Sequence, residues 1–282
     1  MNTPESCPLT CPVCDLPLAR GEKTFRCDRG HSFDIAREGY VNLLPPQHRT
    51  RGVEGDLPEM LQARRRFLEA GHYAPLRESL AEKVAGLIGN GACIAEIGCG
   101  EGYYVGGIGV TLRDRHGLEP SLFGMDLSKH AVRMAARRYP AVQFFVGDVN
   151  RRIYLADSSL HVLLDIFAPR NPAEFARVLA PGGRAIVVIP APDHLAGIRE
   201  AFGLLSIQEE KEQRTLDRFS ERFELRAREE LRYPLHLPPA AVADLIAMGP
   251  SQWHRETGWR IPEDTPMLVT GAAFVILVLE RT

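Results

Sequence analysis

Short apolar segments alternate with helical ones between residues 92 and 190, and this alternation limits the folds open to the chain more than any other feature. The strand-like segments read CIAEIGCG, LFGMDLS, VQFFVGD, HVLLDIFAP and GRAIVVIP, and the helical ones SKHAVRMAARRY and PAEFARVL. Such alternation builds βαβ units and a mostly parallel, doubly wound sheet. After His194 we expect a long helix, a strand around LRYPLHL, a helix at PAAVADLIAM and a last strand LVTGAAFVILVLE, which add a late strand pair to this α/β fold.

A glycine-rich turn follows the first of these strands, in AEIGCGEGYY at residues 95 to 104. Glu96 ends the strand, and the turn contains Gly98, Gly100 and Gly102. Glycines there allow a tight turn and a close approach of the backbone to a ligand, with the N-terminus of the next helix facing it. By itself this spacing is common in α/β proteins that bind no ligand.

Acidic residues at the ends of the next two strands make the pattern more specific. Asp126 ends the second strand and Asp148 follows the third. A carboxylate after the second strand can accept hydrogen bonds from both hydroxyls of a ribose. The set fits S-adenosylmethionine better than a nicotinamide cofactor, because the turn lacks the GxGxxG spacing. A turn that binds nothing remains the alternative.

A cysteine cluster precedes the α/β region. Two knuckles carry four zinc-type ligands, Cys11, Cys14, Cys27 and His31. Zinc prefers four such donors in a tetrahedron, and its binding supplies folding free energy to a segment with few core positions. Cys7 is a rival for the fourth position, although it lies nearer the chain terminus, and free cysteines are the other alternative.

Changes in composition and apolar pattern along the chain indicate three regions. Residues 1 to 44 form the zinc-binding module, residues 45 to 90 a loop and helical connector broken at Gly71, and residues 91 to 282 the α/β domain. The chain has no apolar run of eighteen residues and no secretory pattern at its start, so we expect a cytoplasmic protein without a membrane partner. The net charge of −2 provides no general basic field for nucleic acid.

Several tracts together resemble one family, the RlmA-type 23S ribosomal RNA (guanine-N1) methyltransferases. They are the CPxC knuckle with CDRGHSFDIAREGYVNLL, and then ARRRFLEAGHYAPL, IGCGEGYY, FGMDLSKHAVRMAARRYP and FAPRNPAEFARVLAPGG. The resemblance covers nearly the whole chain. It implies a zinc-ribbon-like RNA-recognition domain, followed by a Rossmann-like class I S-adenosylmethionine-dependent methyltransferase domain.

The resemblance also implies roles for particular residues. Cys11, Cys14, Cys27 and His31 would bind Zn²⁺, and Tyr73, the turn at Gly100, Glu101 and Gly102, and His194 would contact S-adenosylmethionine. The substrate would be N1 of a guanine in a 23S rRNA hairpin that lines the peptide exit tunnel. The tracts FAPRNPAEFARVL and AMGPSQWH favour the branch associated with resistance to tylosin-like macrolides, whereas IGCGEGYY is closer to the other branch. A homodimer could form a joint RNA cleft.

Guanine N1 lies on the Watson–Crick edge, so it becomes accessible only when the base is unpaired or flipped into a pocket. Phe167 and Trp253 are candidates for an aromatic platform beneath such a base, and each could equally be a core residue. Asp165 is a candidate proton acceptor or a buried structural carboxylate, and the general base stays unassigned. Basic residues on the module are Arg20, Lys23, Arg26, Arg29 and Arg37, and five more follow at Arg49, Arg51, Arg64, Arg65 and Arg66.

Acidic neighbours offset much of this charge, so the RNA hypothesis depends on the zinc module and the resemblance rather than on charge. Two other hypotheses stay open at this stage. A small-molecule methyltransferase would not need the zinc module. A zinc-bearing RNA-binding assembly factor could keep a cofactor pocket without catalysis.

Overall fold

The computed structural model describes residues 8–45, 57–249, 261 and 265–282. The strands are β1 (Ala19–Arg20), β2 (Thr24–Arg26), β3 (Ser32–Asp34), β4 (Val41–Asn42), β5 (Cys93–Ile97), β6 (Ser121–Asp126), β7 (Val142–Val146), β8 (Leu160–Ile166), β9 (Leu179–Pro190), β10 (Phe223–Leu237) and β11 (Leu268–Arg281). The helices are α1 (Pro58–Glu69), α2 (Ala74–Ala85), α3 (Tyr103–His116), α4 (Lys129–Arg138), α5 (Pro172–Val178), α6 (Ala196–Phe202), α7 (Lys211–Phe219) and α8 (Pro239–Ala247).

One eight-stranded sheet has the order β10-β11-β9-β8-β5-β6-β7-β4. The six strands from β9 to β4 are mutually parallel, whereas β11 is antiparallel to β9 and β10 is antiparallel to β11. The predicted doubly wound sheet with a late strand pair is therefore confirmed. The order reverses between β5 and β8, and in such sheets ligands bind outside the carboxyl ends of the strands at this point.

Both faces of the sheet are covered, which explains why its central strands are almost continuously apolar. On β7, Phe144 packs on the face covered by α2, α3, α4 and α8, and its neighbour Phe145 packs on the opposite face. Successive side chains of a strand point to opposite faces, so one short strand supplies both cores. Phe175 of α5 and Phe219 of α7 complete the second core.

The cysteine-bearing segment packs directly on this second core. Strands β1, β2 and β3 form a small antiparallel sheet, and Leu9, Leu18 and Phe25 from this region are at most 2% exposed. Strand β4 then pairs in parallel with β7, with Val41 opposite Phe145, and so joins the large sheet. Two residues are too few for a strand pattern, so this pairing could not be predicted from the sequence.

The connector and the C-terminal region differ in how well their elements were predicted. The predicted helices at both sides of Gly71, a residue with φ of +83°, are confirmed as α1 and α2. The prediction of one long helix after His194 is wrong, because the chain forms the short helices α6 and α7 instead. Helix α6 ends at Gly203, which has the left-handed conformation typical of a helix C-cap.

Candidate functional site

The glycine turn lies at the carboxyl end of β5, beside the point where the strand order reverses. Gly98, Gly100 and Gly102 have φ values of +76°, +53° and +80°, a region that other residues adopt at a cost. A Cβ atom on Gly98 would lie 2.4 Å from Cβ of Ala168, in the loop after β8. The loops after β5 and β8 therefore meet closely at the glycine turn.

Carboxylates gather at the same edge of the sheet. Asp126, at the end of β6, accepts hydrogen bonds from the backbone N–H of Gly100 at 2.8 Å and of Ser128 at 2.8 Å. Asp148, after β7, accepts one from the N–H of Asn150 at 2.9 Å. These bonds fix the predicted acidic residues on adjacent strand ends, next to the glycine turn.

Two glutamates belong to this region, Glu96 before the glycine turn and Glu101 within it. Glu96 accepts a hydrogen bond from the N–H of Val105 at 2.8 Å, and burial raises the pKa of its carboxyl well above the ordinary range. Glu101 is buried, and neither of its oxygens has a hydrogen-bond partner within the described part of the chain. S-adenosylmethionine carries an ammonium group, a sulfonium and two ribose hydroxyls. A buried carboxylate without a donor and a carboxylate at the end of β6 fit these groups.

Tyr73 and His194, which are 121 residues apart in the sequence, lie in contact. The Tyr73 hydroxyl is 3.1 Å from Nε2 of His194, and the N–H of Ala273 donates to its Nδ1 at 3.1 Å. Because Nδ1 accepts a hydrogen bond, the proton of the neutral ring lies on Nε2 and is donated to Tyr73. Burial lowers the pKa of His194 to about 4, so the ring is neutral near pH 7.

Phe167 is an exposed aromatic side chain beside this pair. It follows β8, has φ of +58° and is 42% exposed, while its ring lies 6.5 Å from that of Tyr73 and 5.6 Å from that of Phe274. Strained backbone in a non-glycine residue is concentrated at functional sites. The structure thus places one of the two candidate platform residues at the sheet edge that carries the glycine turn. The other candidate, Trp253, lies outside the described residues.

Asp165 is buried on β8. Its Oδ1 accepts a hydrogen bond from Nε of Arg170 at 3.0 Å, while Oδ2 has no hydrogen-bond partner among the described residues. Burial raises the pKa of this carboxyl to about 7, although Arg170 acts in the opposite direction. Asp165 is therefore a buried carboxylate that is paired with Arg170.

The four predicted zinc ligands converge on one point. Nδ1 of His31 lies 3.5, 3.4 and 3.4 Å from the sulfurs of Cys11, Cys14 and Cys27, and the sulfurs of Cys14 and Cys27 are 3.7 Å apart. Zinc bound at about 2.3 Å to sulfur and about 2.0 Å to nitrogen has tetrahedral edges of about 3.8 Å between sulfurs and about 3.5 Å between sulfur and nitrogen. The donor set therefore fits Zn²⁺. Cys7, the rival ligand, lies outside the described residues.

Two exposed arginines of α1 form ion pairs, and a third, half-buried arginine lies against the glycine turn. Arg65 pairs with Glu69 at 2.8 Å, and Arg66 pairs with Asp244 of α8 at 2.6 Å. Arg64 lies against the glycine turn, since a Cβ atom on Gly100 would be 3.4 Å from its Nη1. The connector thus covers the candidate cofactor site, and only the fold could reveal this contact. Arg49 and Arg51 lie outside the described residues, whereas the basic residues of the zinc module are exposed.

Comparisons with known proteins cover both parts of the chain. A family model of a zinc ribbon, described as the N-terminal region of RlmA, matches residues 9–51. A protein of Streptomyces fradiae named 23S rRNA (guanine(748)-N(1))-methyltransferase is 42% identical over 250 residues, which are 88% of this chain and 86% of that protein.

Two further relatives have the same kind of name. A protein of Micromonospora griseorubida, provisionally named as a 23S rRNA (guanine-N(1)-)-methyltransferase, is 38% identical and the match spans 88% of both chains. The Bacillus subtilis (strain 168) protein YxjB, with the same provisional name, is 32% identical over 86% of both chains. Each match therefore covers more than four fifths of this chain.

Proposed function

Because this chain belongs to the family of 23S rRNA (guanine-N1)-methyltransferases, we propose that it transfers a methyl group from S-adenosylmethionine to N1 of a guanine in 23S rRNA. The observation that carries the proposal is the 42% identity with the Streptomyces fradiae enzyme over 88% of this chain. The glycine turn, the acidic strand ends and the four-ligand cysteine cluster support it independently.

The residues at the edge of the sheet have distinct roles in this proposal. S-adenosylmethionine, when bound, supplies an electrophilic methyl group. Asp126 accepts hydrogen bonds from the ribose hydroxyls, and Asp148 accepts from the adenine end of the cofactor. The glycine turn admits the ligand close to the backbone, while Tyr73 and His194 form one wall beside it. This placement reduces the entropy cost of bringing the methyl group and guanine N1 into line.

The guanine must leave its stack before its N1 is accessible. Phe167 presents an exposed, fixed ring next to Tyr73, and we propose that the flipped guanine stacks on it. Stacking on an aromatic ring replaces the stacking energy that the base loses in RNA. The nearby aromatic cluster keeps water away from the reacting atoms.

The zinc module has the role of selecting the RNA. Its exposed cations, Arg20, Lys23, Arg26, Arg29 and Arg37, are available for phosphate contacts. We propose that the module, residues 1 to 44, recognises a hairpin that lines the peptide exit tunnel, with residues 45 to 90 as connector and residues 91 to 282 as catalytic domain. The target is the guanine that the name of the Streptomyces fradiae relative gives as 748. This assignment favours the macrolide-associated branch.

Partner and location follow from the same proposal. Within the described residues, no helix is long and apolar enough to cross a membrane. An enzyme that modifies 23S rRNA works where ribosomes are assembled, so we propose a cytoplasmic protein. A homodimer stays a prediction, to be tested by light scattering of the zinc-loaded chain with and without RNA.

Methylation in vitro tests the proposal. The zinc-loaded chain is incubated with S-adenosylmethionine and 23S rRNA from a strain that lacks the modification, and the digested nucleosides are analysed by mass spectrometry. We expect 1-methylguanosine at close to one per rRNA. Reactions with 16S rRNA or without the cofactor are the controls, and an rRNA product without 1-methylguanosine would refute the proposal.

A further inference from the structure

Glu101 is a buried carboxylate within the glycine turn. It is 2% exposed, and neither oxygen has a hydrogen-bond partner among the described residues. Burial raises the pKa of this carboxyl, while the charges of Arg138, Arg64 and Arg65 act in the opposite direction. Buried polar atoms are nearly always hydrogen-bonded in folded proteins. The missing partner is therefore expected to come from a ligand that carries a hydrogen-bond donor.

Arg64 lies beside Gly100 of the same turn and is held there by α8. Its Nη2 donates to the carbonyl oxygen of Met248 at 3.3 Å, at the C-terminus of α8. The Arg64 side chain is half-buried, and its Nη1 lies 3.4 Å from the position of a Cβ atom on Gly100. The adjacent Arg66 fixes α1 on α8 through a bidentate bond to Asp244, at 3.1 and 2.6 Å. The guanidinium of Arg64 is thus positioned over the cofactor turn before any ligand binds.

We propose that Arg64 and Glu101 together bind the amino-acid end of S-adenosylmethionine, Arg64 its carboxylate and Glu101 its ammonium group. The inference rests on the proposed function only in taking S-adenosylmethionine as the cofactor. A positive side chain beside the glycine turn and a negative one within it match the opposite charges of an amino acid, and hydrogen bonds between charged groups are the strongest that a protein forms. Arginine suits the carboxylate because its planar fork can donate two parallel bonds.

This role explains two features of the sequence together. The positive φ of Gly100 favours glycine, and the absent side chain leaves room for a ligand beside Arg64. The arginine run at residues 64 to 66 has separate tasks, since Arg64 faces the cofactor turn while Arg66 fixes the helix that carries it. Holding the amino-acid end also fixes the sulfonium, which is three carbons away along the same chain of the ligand.

Two ligands distinguish this contact from a general effect on the site. S-adenosylhomocysteine carries the amino-acid end, and 5′-methylthioadenosine has the same nucleoside and thioether without it. Calorimetric titrations compare the zinc-loaded wild type with Arg64→Ala and Glu101→Gln. We expect each variant to bind S-adenosylhomocysteine about 10- to 100-fold more weakly and 5′-methylthioadenosine within twofold of wild type. Arg113→Ala, which removes an exposed arginine of α3 paired with Asp114, serves as the matched control and should leave both affinities unchanged.

The outcomes separate the inference from the proposed function. Equal weakening of both ligands, or no weakening of either, would overturn the inference while leaving the cofactor assignment in place. Failure of the wild type to bind either ligand would contradict the proposed function and the inference together. Arg64→Lys keeps the charge without the planar fork, and an affinity for S-adenosylhomocysteine between those of wild type and Arg64→Ala is expected. Thermal melting of each variant verifies that it is folded under the conditions of the titration.

Discussion

At the scale of single residues, His194 combines burial with a defined tautomer. It accepts a hydrogen bond from Ala273 and donates one to Tyr73, so its neutral ring satisfies both contacts. Protonation would place a second proton on Nδ1, facing the backbone N–H of Ala273. Burial lowers the pKa of His194 to about 4, and the nearby charge of Arg199 acts in the same direction. The ring therefore serves as a neutral wall of the pocket rather than as an acid.

This lowered pKa predicts how stability depends on pH. As pH falls from about 6.5 to about 4, His194 gains a proton in the unfolded chain but not in the folded one, so the free energy of unfolding decreases. Above pH 6.5 this contribution is fully present. Between pH 7 and pH 5 we expect wild type to lose about 2 kcal/mol that His194→Asn does not lose. Urea unfolding at both pH values measures the difference, and every other titrating group is common to both proteins.

An equal loss in wild type and His194→Asn would contradict the buried, neutral state of the ring. Asparagine is chosen because its side-chain oxygen can still accept the hydrogen bond from Ala273. A variant that unfolds entirely at pH 7 would be replaced by His194→Gln, which tests the same pH difference.

Phe167 yields a prediction about the RNA substrate. Removing its ring should lower kcat/KM for RNA methylation about 10- to 100-fold, because stacking of one base on an aromatic ring contributes roughly 1–3 kcal/mol. Binding of S-adenosylhomocysteine should change less than twofold in Phe167→Ala. Single-turnover methylation and calorimetry measure the two quantities.

Leu225→Ala is the matched control for Phe167→Ala, since Leu225 is 41% exposed and lies on β10. Phe167→Tyr should restore the rate, because it restores the ring. A Phe167→Ala protein with wild-type kcat/KM would show that no base stacks on this residue.

Some residue roles were accessible from sequence and others were not. The spacing of Cys11, Cys14, Cys27 and His31 is local, so it was sufficient to predict a cluster that the fold then brings together. The burial of Glu101 without a partner and the approach of Arg64 to Gly100 depend on where α1 packs. A sequence carries no distance between segments 36 residues apart, so the contact of Arg64 with the glycine turn could not be predicted.

At the scale of elements, α3 packs unusually close to its neighbours. A Cβ atom on Gly106 would lie 2.3 Å from the ring of Tyr139, and one on Gly109 would lie 2.3 Å from Leu122. These glycines allow the helix that begins at the cofactor turn to lie tightly on β6 and α4. The helix is buried along most of its length, which explains its run YYVGGIGV.

Gly102 at the start of α3 tests the importance of this packing. A Cβ atom there would lie 2.9 Å from Phe144 and 3.0 Å from Ala135, and φ is +80°. Gly102→Ala should lower the free energy of unfolding by roughly 3 kcal/mol, the sum of backbone strain and overpacking. Urea unfolding at pH 7 provides the measurement.

Gly117→Ala separates the two causes. Gly117 ends the same helix with φ of +63°, but nothing lies within 4 Å of an added Cβ atom. Strain alone should cost it about 1 kcal/mol. Equal losses at the two positions would mean that the contact with Phe144 and Ala135 is relaxed at no cost.

Element prediction succeeded where periodicity was long and failed where it was short. Strands β5 to β9 and helices α1, α2, α4, α5 and α8 follow the predicted segments, because each has an apolar pattern of its own. Strand β4 has only Val41 and Asn42, and its place beside β7 is set by tertiary packing. The prediction of one long helix after His194 did not account for Gly203, whose left-handed conformation ends α6.

At the scale of the whole molecule, the zinc module and the large sheet share one core. Leu9, Leu18 and Phe25 pack in the same cluster as Phe145 and Tyr154, and β4 links the module to β7. An ion pair at 3.0 Å between Arg152 and Asp15 lies across the same contact. The module is therefore part of the sheet's support as well as a candidate RNA-binding surface.

Removal of zinc should consequently destabilise the whole chain. Structural zinc contributes folding free energy directly, so a chelator is expected to lower the Tm of the main transition by about 10 °C. Differential scanning calorimetry measures this shift, and added zinc should reverse it. A main transition that keeps its Tm after zinc is lost would mean that the module folds independently of the sheet.

Primer extension detects the proposed methylation of one guanine N1 in 23S rRNA directly. A methyl group on N1 blocks Watson–Crick pairing, so reverse transcriptase stops beside the modified nucleotide. On 23S rRNA from a strain with the gene, we predict one strong stop. It lies next to the guanine that corresponds to 748 in the name of the Streptomyces fradiae relative. No such stop is expected when the gene is deleted. Identical extension products from the two strains would contradict it.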